Sequence, residues 1–119
     1  MKSISYLGPP GSYCEQAAIS KYTNEKLFPM PTIPSVIESV QDGITDLGVV
    51  PIENSIEGSV TFTLDALIHN YTVNINSEIM LNISHSLISN KKYQLGEITK
   101  IYSHPQAISQ CRIYISKNL

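Results

Sequence analysis

The sequence predicts an α/β fold with parallel strands, organised as two lobes, and three observations carry that expectation. Short apolar runs alternate with helical patterns opened by capping residues, the grammar of strand–helix–strand units. Leu47 to Ile52 is a Val-rich apolar run of the kind found in strands buried on both faces of a parallel sheet. Apolar residues then hold the odd positions from Val73 through Ile75, Ile79, Leu81 and Ile83 to Leu87, while Asn74, Asn76, Glu78, Asn82, Ser84 and Ser86 hold even ones. That alternation far exceeds a strand of about 5–6 residues. It reads as two strand segments in series, with the chain crossing between sheets around Ser77 and Glu78 and a cleft at the crossing.

The elements follow in order. Ser3 to Leu7 reads as a strand, broken by Gly8-Pro9-Pro10-Gly11. Ser12 opens a helix, and Ser12 with Glu15 has the spacing of a capping box. Ala17, Ala18 and Lys21 continue that helix. Ser35 and Glu38 have the same spacing, followed by the apolar face of Val36, Ile37 and Val40, and Gly43 is placed to end the helix. After the Leu47–Ile52 strand and a loop to about Ser59, Val60, Leu64, Leu67 and Ile68 fall on one helical face. A polar loop from Ser89 to Gly96 precedes a strand at Ile98 to Tyr102. A final helix begins near Pro105, with Ile108, Cys111 and Ile115 as its apolar stripe. So few elements leave the second lobe short of partner strands and cover. This leads us to expect either an incomplete lobe or pairing with another copy in a homo-oligomer.

Bulk properties exclude several classes. The 119 residues suit one ordinary domain. With 8 basic against 10 acidic residues, the formal charge of −2 offers no basic face for nucleic acid. No apolar run approaches the roughly 18 residues of a spanning helix, and the interrupted N-terminus is not a secretory signal. The two cysteines, Cys14 and Cys111, lack a C-x-x-C spacing and suit a reducing cytoplasm. His69, His85 and His104 have no metal-ligand spacing, so no metal site is expected.

Three loops follow three of the predicted strands, where ligands bind in open parallel sheets. The first, Gly8 to Ser12, leads into a helix N-terminus with free N–H groups suited to an anion; by itself it reads as a tight turn and cap. The second, Pro51 to Ser59, places Glu53, Asn54 and Ser55 together, and reads equally as a polar site or as an Asx-turn with solvated acids. The third contains Ser103, His104, Pro105 and Gln106. Gln106 and Gln110 lie four apart on one helix face. His104 could serve as a base, but a hydrogen-bonded strand-end histidine is the plainer reading. Neutral amides and hydroxyls dominate this set, which suits electrostatic positioning of a charged substrate better than covalent catalysis.

Taken together, these segments resemble the prephenate dehydratase family. The matching stretches are Tyr6-Leu7-Gly8-Pro9-Pro10-Gly11-Ser12-Tyr13, Gly48-Val49-Val50-Pro51-Ile52-Glu53-Asn54-Ser55-Ile56-Glu57-Gly58-Ser59-Val60, and Tyr102-Ser103-His104-Pro105-Gln106 through Gln110-Cys111. The resemblance implies a two-lobed, periplasmic-binding-protein-like (type II) fold, with residues 1–76 in the first lobe and 77–119 in part of the second. It implies decarboxylative dehydration of prephenate to phenylpyruvate, without metal or organic cofactor, in the cytoplasm. On the same basis Asn54 and Gln110 correspond to catalytic positions, and Glu53, Ser55, Ser103, Gly11 and Ser12 to substrate-binding ones. The family's Thr-Arg-Phe motif, whose threonine is its proposed proton donor, has no counterpart here. Neither does its phenylalanine-sensing ACT domain. The resemblance therefore implies an N-terminal portion, inactive or nearly so by itself.

Other classes stay open at this level. A binding module or a non-catalytic partner of the same fold would share the architecture. A dehydratase acting on arogenate, which differs from prephenate by an amino group, would share the motifs.

Overall fold

In the computed structural model, the structure describes residues 1–54 and 58–119, and at residues 54, 58 and 59 the backbone alone. The described chain forms two compact units, Met1–Asn82 and Ile83–Leu119.

The first unit is built on a parallel sheet. Strand β1 (Ser3–Leu7) is central, flanked by β2 (Lys26–Met30) and β3 (Leu47–Val49) in the order β2-β1-β3. The registers pair Ile4 with both Leu27 and Leu47, and Tyr6 with both Pro29 and Val49. Because β1 is covered on both faces, Ile4, Ser5 and Tyr6 are consecutive yet all buried. Helix α1 (Tyr13–Lys21) meets the Tyr6 face, and α2 (Ile33–Gln41) meets the Ser5 face.

Sequence reasoning assigned no strand to Lys26–Met30. Pro29 removes a ladder donor there and normally argues against a strand, but it is tolerated at a sheet edge, where β2 lies. Helix α2 also starts earlier than expected. Thr32 is its N-cap, accepting from Ser35 N–H at 3.1 Å, while Ser35 Oγ accepts from Thr32 N–H at 3.0 Å. The capping box is therefore Thr32–Ser35, not Ser35–Glu38, and Pro34 fits the first turn because it needs no N–H there. Gly43, at φ +73°, ends the helix as expected.

The core joins apolar and hydroxyl side chains. Val36, Ile37, Ala17 and Ala18 are buried with Ile4 and Tyr6. Between α2 and the sheet, the buried hydroxyls of Ser5, Ser39 and Thr45 bond one another: Ser39 to Ser5 at 2.9 Å, Ser39 to Thr45 at 2.9 Å and Ser5 to Thr45 at 3.2 Å. Ser39 also donates to the Val36 carbonyl at 2.7 Å, so the cluster satisfies itself inside the core. Gly48 permits close approach of β3 and α2, because a Cβ there would lie 2.9 Å from Val36 Cγ1 and 3.1 Å from Val40 Cγ2.

Beyond β3, the segment expected as a loop is a hairpin, β4 (Glu53–Asn54) antiparallel to β5 (Gly58–Ser59). Helix α3 (Thr61–Asp65) follows and continues as a π-helical turn, Ala66–Asn70, in place of one regular helix. The alternating stretch from Val73 to Leu87 forms no strand. Alternation marks a chain that could pair, but a strand exists only where a second one supplies the ladder. The residues leading into it, and Ser77 within it, are tied to α1 and α2 through side chains instead. Tyr71 O–H donates to Glu38 at 2.6 Å, Thr72 N–H to Gln41 Oε1 at 2.7 Å, and Lys21 Nζ to Ser77 Oγ at 2.7 Å.

The second unit holds a 3₁₀ turn (Leu95–Glu97), α4 (Pro105–Gln110) and α5 (Arg112–Asn118). Ile98 to Tyr102 is likewise unpaired rather than a strand. The expected single final helix is broken at Cys111, whose φ −100° and ψ 9° lie outside helical values. No residue of this unit is buried, so its elements have local hydrogen bonds but no core of their own.

Candidate functional site

The sheet order places a topological switch point between β1 and β3. The connection leaving β1 runs to one side, through α1 to β2, and the next crosses back through α2 to β3. Ligands in open parallel sheets bind outside the carboxyl ends of strands at such a point. Because Tyr6 pairs with Val49, the Gly8–Ser12 loop and the chain entering the β4–β5 hairpin emerge side by side there.

The first loop is internally bonded. Ser12 Oγ donates to the Leu7 carbonyl at 2.9 Å and accepts from Glu15 N–H at 3.2 Å. Gly11 adopts φ +89°, a conformation that suits glycine, and its N–H donates to Glu15 Oε1 at 3.0 Å. Glu15 Oε2 accepts from the hydroxyl of Tyr6 at 2.6 Å. Glu15 thus completes the capping arrangement one residue earlier than the usual box, on Gly11 instead of Ser12. The Tyr6 and Gly11 bonds hold the Glu15 carboxyl below the usual glutamate range. Burial, reinforced by that carboxylate, pushes the Tyr6 phenol up to about 12. In the first turn of α1, burial raises the Cys14 thiol, partly offset by a hydrogen bond to the Leu7 backbone. Of the two substrate-binding candidates here, Gly11 N–H faces a carboxylate and the Ser12 hydroxyl is engaged twice. A substrate anion at this loop would compete with Glu15.

The second loop is held at its base. Thr63 Oγ1 donates to the Pro51 carbonyl at 2.7 Å, and Val60 N–H donates to the Ile52 carbonyl at 2.8 Å. Glu53, paired with Ser59, is exposed, and Asn54 pairs with Gly58. Ser55 lies outside the described residues.

In the second unit, Ser103 is exposed and precedes His104, the N-cap of α4. His104 Nδ1 accepts from Gln106 N–H at 3.1 Å, so this histidine is hydrogen-bonded as the plainer reading had it, but at a helix cap rather than a strand end. Gln110, half-buried at the end of α4, has its Oε1 2.8 Å from His85 Nε2. Sequence reasoning passed over His85. The signal was present: it is a polar residue on the odd, apolar side of the Val73–Leu87 alternation.

A shallow depression of about 290 Å³ lies between Gly8, Pro9, Pro29, Met30 and Pro31. It sits on the β2 side of β1, away from the switch point, and no polar side chain lines it, so it offers a charged substrate nothing to bind. Among the described residues no group of three or more His, Cys, Asp or Glu could hold a metal, and no helix is long and apolar enough to cross a membrane.

A family model described as prephenate dehydratase matches residues 4–119. The chain is 42% identical over 114 residues to a prephenate dehydratase of Lactococcus lactis subsp. cremoris, covering 96% of this chain and 40% of that protein. A Methanocaldococcus jannaschii prephenate dehydratase is 41% identical over 122 residues, covering 98% of this chain and 43% of the relative. Arogenate dehydratase 2 of Petunia hybrida is 33% identical over 114 residues, covering 96% and 29%. In fold, the chain matches the X-ray structure of prephenate dehydratase from Streptococcus mutans with a TM-score of 0.57 at 38% identity, over 59% of this chain and 37% of that one. The chain therefore spans about two fifths of the length of the prephenate dehydratases it matches.

Proposed function

This chain belongs to the prephenate dehydratase family, and from that premise we propose that it carries the N-terminal part of a catalytic domain that converts prephenate to phenylpyruvate. The ring carboxylate of prephenate leaves as carbon dioxide, and its bonding electrons enter the ring. The ring hydroxyl takes up a proton and leaves as water. Aromatisation supplies the driving force, so the protein's task is to hold two carboxylates and deliver one proton. Electrostatic positioning by fixed donors suits that task.

The observation that carries this reading is the continuous family match from residue 4 to 119, which takes in all three polar loops. In the reading, Asn54 and Gln110 orient the ring hydroxyl or a substrate carboxylate, and Glu53, Ser55, Ser103, Gly11 and Ser12 contribute to binding. The complete catalytic domain takes the two-lobed, periplasmic-binding-protein-like fold, with residues 1–76 in its first lobe and 77–119 in its second. It works in the cytoplasm as a homo-oligomer and needs no cofactor. The proton donor, the threonine of Thr-Arg-Phe, lies in the length the relatives have beyond this match. The absence of any buried residue from Ile83 to Leu119 supports a need for further chain or a second copy to cover that unit.

The test compares two proteins for phenylpyruvate formation from prephenate at neutral pH, against an enzyme-free control. One is this chain; the other is this chain continued through the remaining catalytic length of the Lactococcus lactis relative. Activity in the extended form alone is the expected result. Activity in neither refutes the reading. Activity in the short form places the proton donor within these 119 residues, with Ser103 and His104 the first candidates. Arogenate in the same assay separates the related reaction.

A further inference from the structure

We propose that His85 is a positioning residue, fixing the side-chain amide of Gln110 by donating its Nε2–H to Gln110 Oε1. The inference rests on Gln110 being a substrate-contacting group in the dehydratase reading. A glutamine amide presents a carbonyl on one side and an NH₂ on the other, and a half-turn about its last bond exchanges them. A loose amide offers substrate oxygens a donor only part of the time. Here the orientation is set. Gln110 Oε1 lies 2.8 Å from His85 Nε2, and oxygen only accepts, so the imidazole must donate. With its carbonyl engaged, the amide turns its NH₂, the end that complements a carboxylate or hydroxyl oxygen, away from His85. The neutral Nε2–H tautomer and the imidazolium both make this bond; only the Nδ1–H tautomer cannot.

The local structure gives Gln110 reason to need such a partner. It is the last residue of a six-residue helix, and the backbone leaves helical values at Cys111. A glutamine side chain without a partner at that junction keeps most of its rotamer freedom, and a bond to His85 removes it. His85 comes from a distant part of the chain, 25 residues earlier. Its place on the odd side of the Val73–Leu87 alternation puts a donor on the side that, Ser77 apart, otherwise carries Ile, Val or Leu.

The contact is tested on this chain by long-range proton–nitrogen NMR of its imidazoles. We expect His85 to carry its proton on Nε2, and Gln110→Leu to weaken that preference. His104, whose Nδ1 accepts from Gln106 N–H, should keep its own Nε2–H tautomer in both proteins and so report that α4 is intact. An Nδ1–H His85, or a tautomer ratio indifferent to Gln110→Leu, overturns the proposal. The consequence for catalysis is read in the extended chain described above. His85→Ala should lower kcat about tenfold with a smaller change in KM. His85→Gln, which sets an amide N–H near where Nε2 stood, should restore most of the loss, and the shorter His85→Asn should not. An effect on KM alone, or no difference between His85→Gln and His85→Ala, also overturns it. If the extended chain forms no phenylpyruvate with His85 intact, the dehydratase reading fails and the tautomer measurement still decides the contact.

Discussion

The Tyr6 hydroxyl donates to the Glu15 carboxylate at 2.6 Å, and the other oxygen of that carboxylate takes the Gly11 N–H at 3.0 Å. One acidic side chain thus ties the central strand, the loop that leaves it and the first turn of α1 into a unit. A negative charge in the first turn also complements the helix dipole.

This arrangement sets the pH dependence of stability. The carboxyls of Glu15 and Asp46 are both lowered in the fold, Glu15 chiefly by the Tyr6 hydroxyl and Asp46 chiefly by the Ser3 backbone N–H. Their contributions are complete above the ordinary carboxyl values of about 4 and disappear as pH falls through the lowered ones. Tyr6 behaves oppositely. Its phenol is raised, so its contribution is complete below the ordinary value of about 10 and is lost as pH rises through about 12. Thermal melting should therefore plateau near neutrality and decline on both sides. Tyr6→Phe should reduce the alkaline decline and shift Glu15 titration towards ordinary values; an unaltered Glu15 titration by NMR would contradict the assignment.

Two glycine substitutions should fail for different reasons. Gly48→Ala drives a methyl to within 2.9 Å of Val36, and overpacking of this kind costs about 1–3 kcal/mol. Gly11→Ala meets no atom within 4 Å, but φ +89° strains any L side chain, at about 1–2 kcal/mol. Adding Val36→Ala should make Gly48→Ala less than additive and leave Gly11→Ala additive. Denaturant titration of the single and double variants measures both.

Helix α2 offers a test of its start. Thr32→Ala removes the N-cap oxygen and should cost about 1 kcal/mol. Glu38→Ala should leave the helix start intact, because Glu38 serves Tyr71 rather than the cap. Equal losses in helical circular dichroism and melting temperature for the two variants would place the cap at Ser35 after all.

For the site, Asn54→Ala in the extended chain should cut phenylpyruvate turnover at least about tenfold, the scale expected when a fixed polar donor at the reacting centre is lost. Unchanged kcat and KM would remove Asn54 from the reaction.

Much of the first unit was legible because its signals are local. The Ser3–Leu7 strand, the Ser12 cap, the Gly43 stop and the Val36–Ile37 face depend on neighbours within a turn of chain. The three polar loops stood out as candidate sites because amides and hydroxyls cluster there in the sequence. Apart from the start of α2, where Thr32–Ser35 and Ser35–Glu38 compete as caps, what escaped was mostly non-local. Lys26–Met30 is a strand only because β1 lies beside it, and an edge position excuses Pro29. Val73–Leu87 alternates and Ile98–Tyr102 reads as a strand, but both stay unpaired, because no local pattern supplies a partner. Glu15 has the spacing for a box with Ser12, and only the placement of Tyr6 and the turn at Gly11 draws its carboxylate elsewhere. His85 stood out in the alternation by residue type alone; folding brought it to Gln110. The sequence by itself determined which segments are broadly helical, the Ser12 cap, the Gly43 stop and which loops are polar, since these are settled by contacts a few residues long. Tertiary structure alone decided strand pairing, the Tyr6–Glu15–Gly11 tie and the His85–Gln110 contact, since each joins groups whose separation along the chain says nothing of their distance in space.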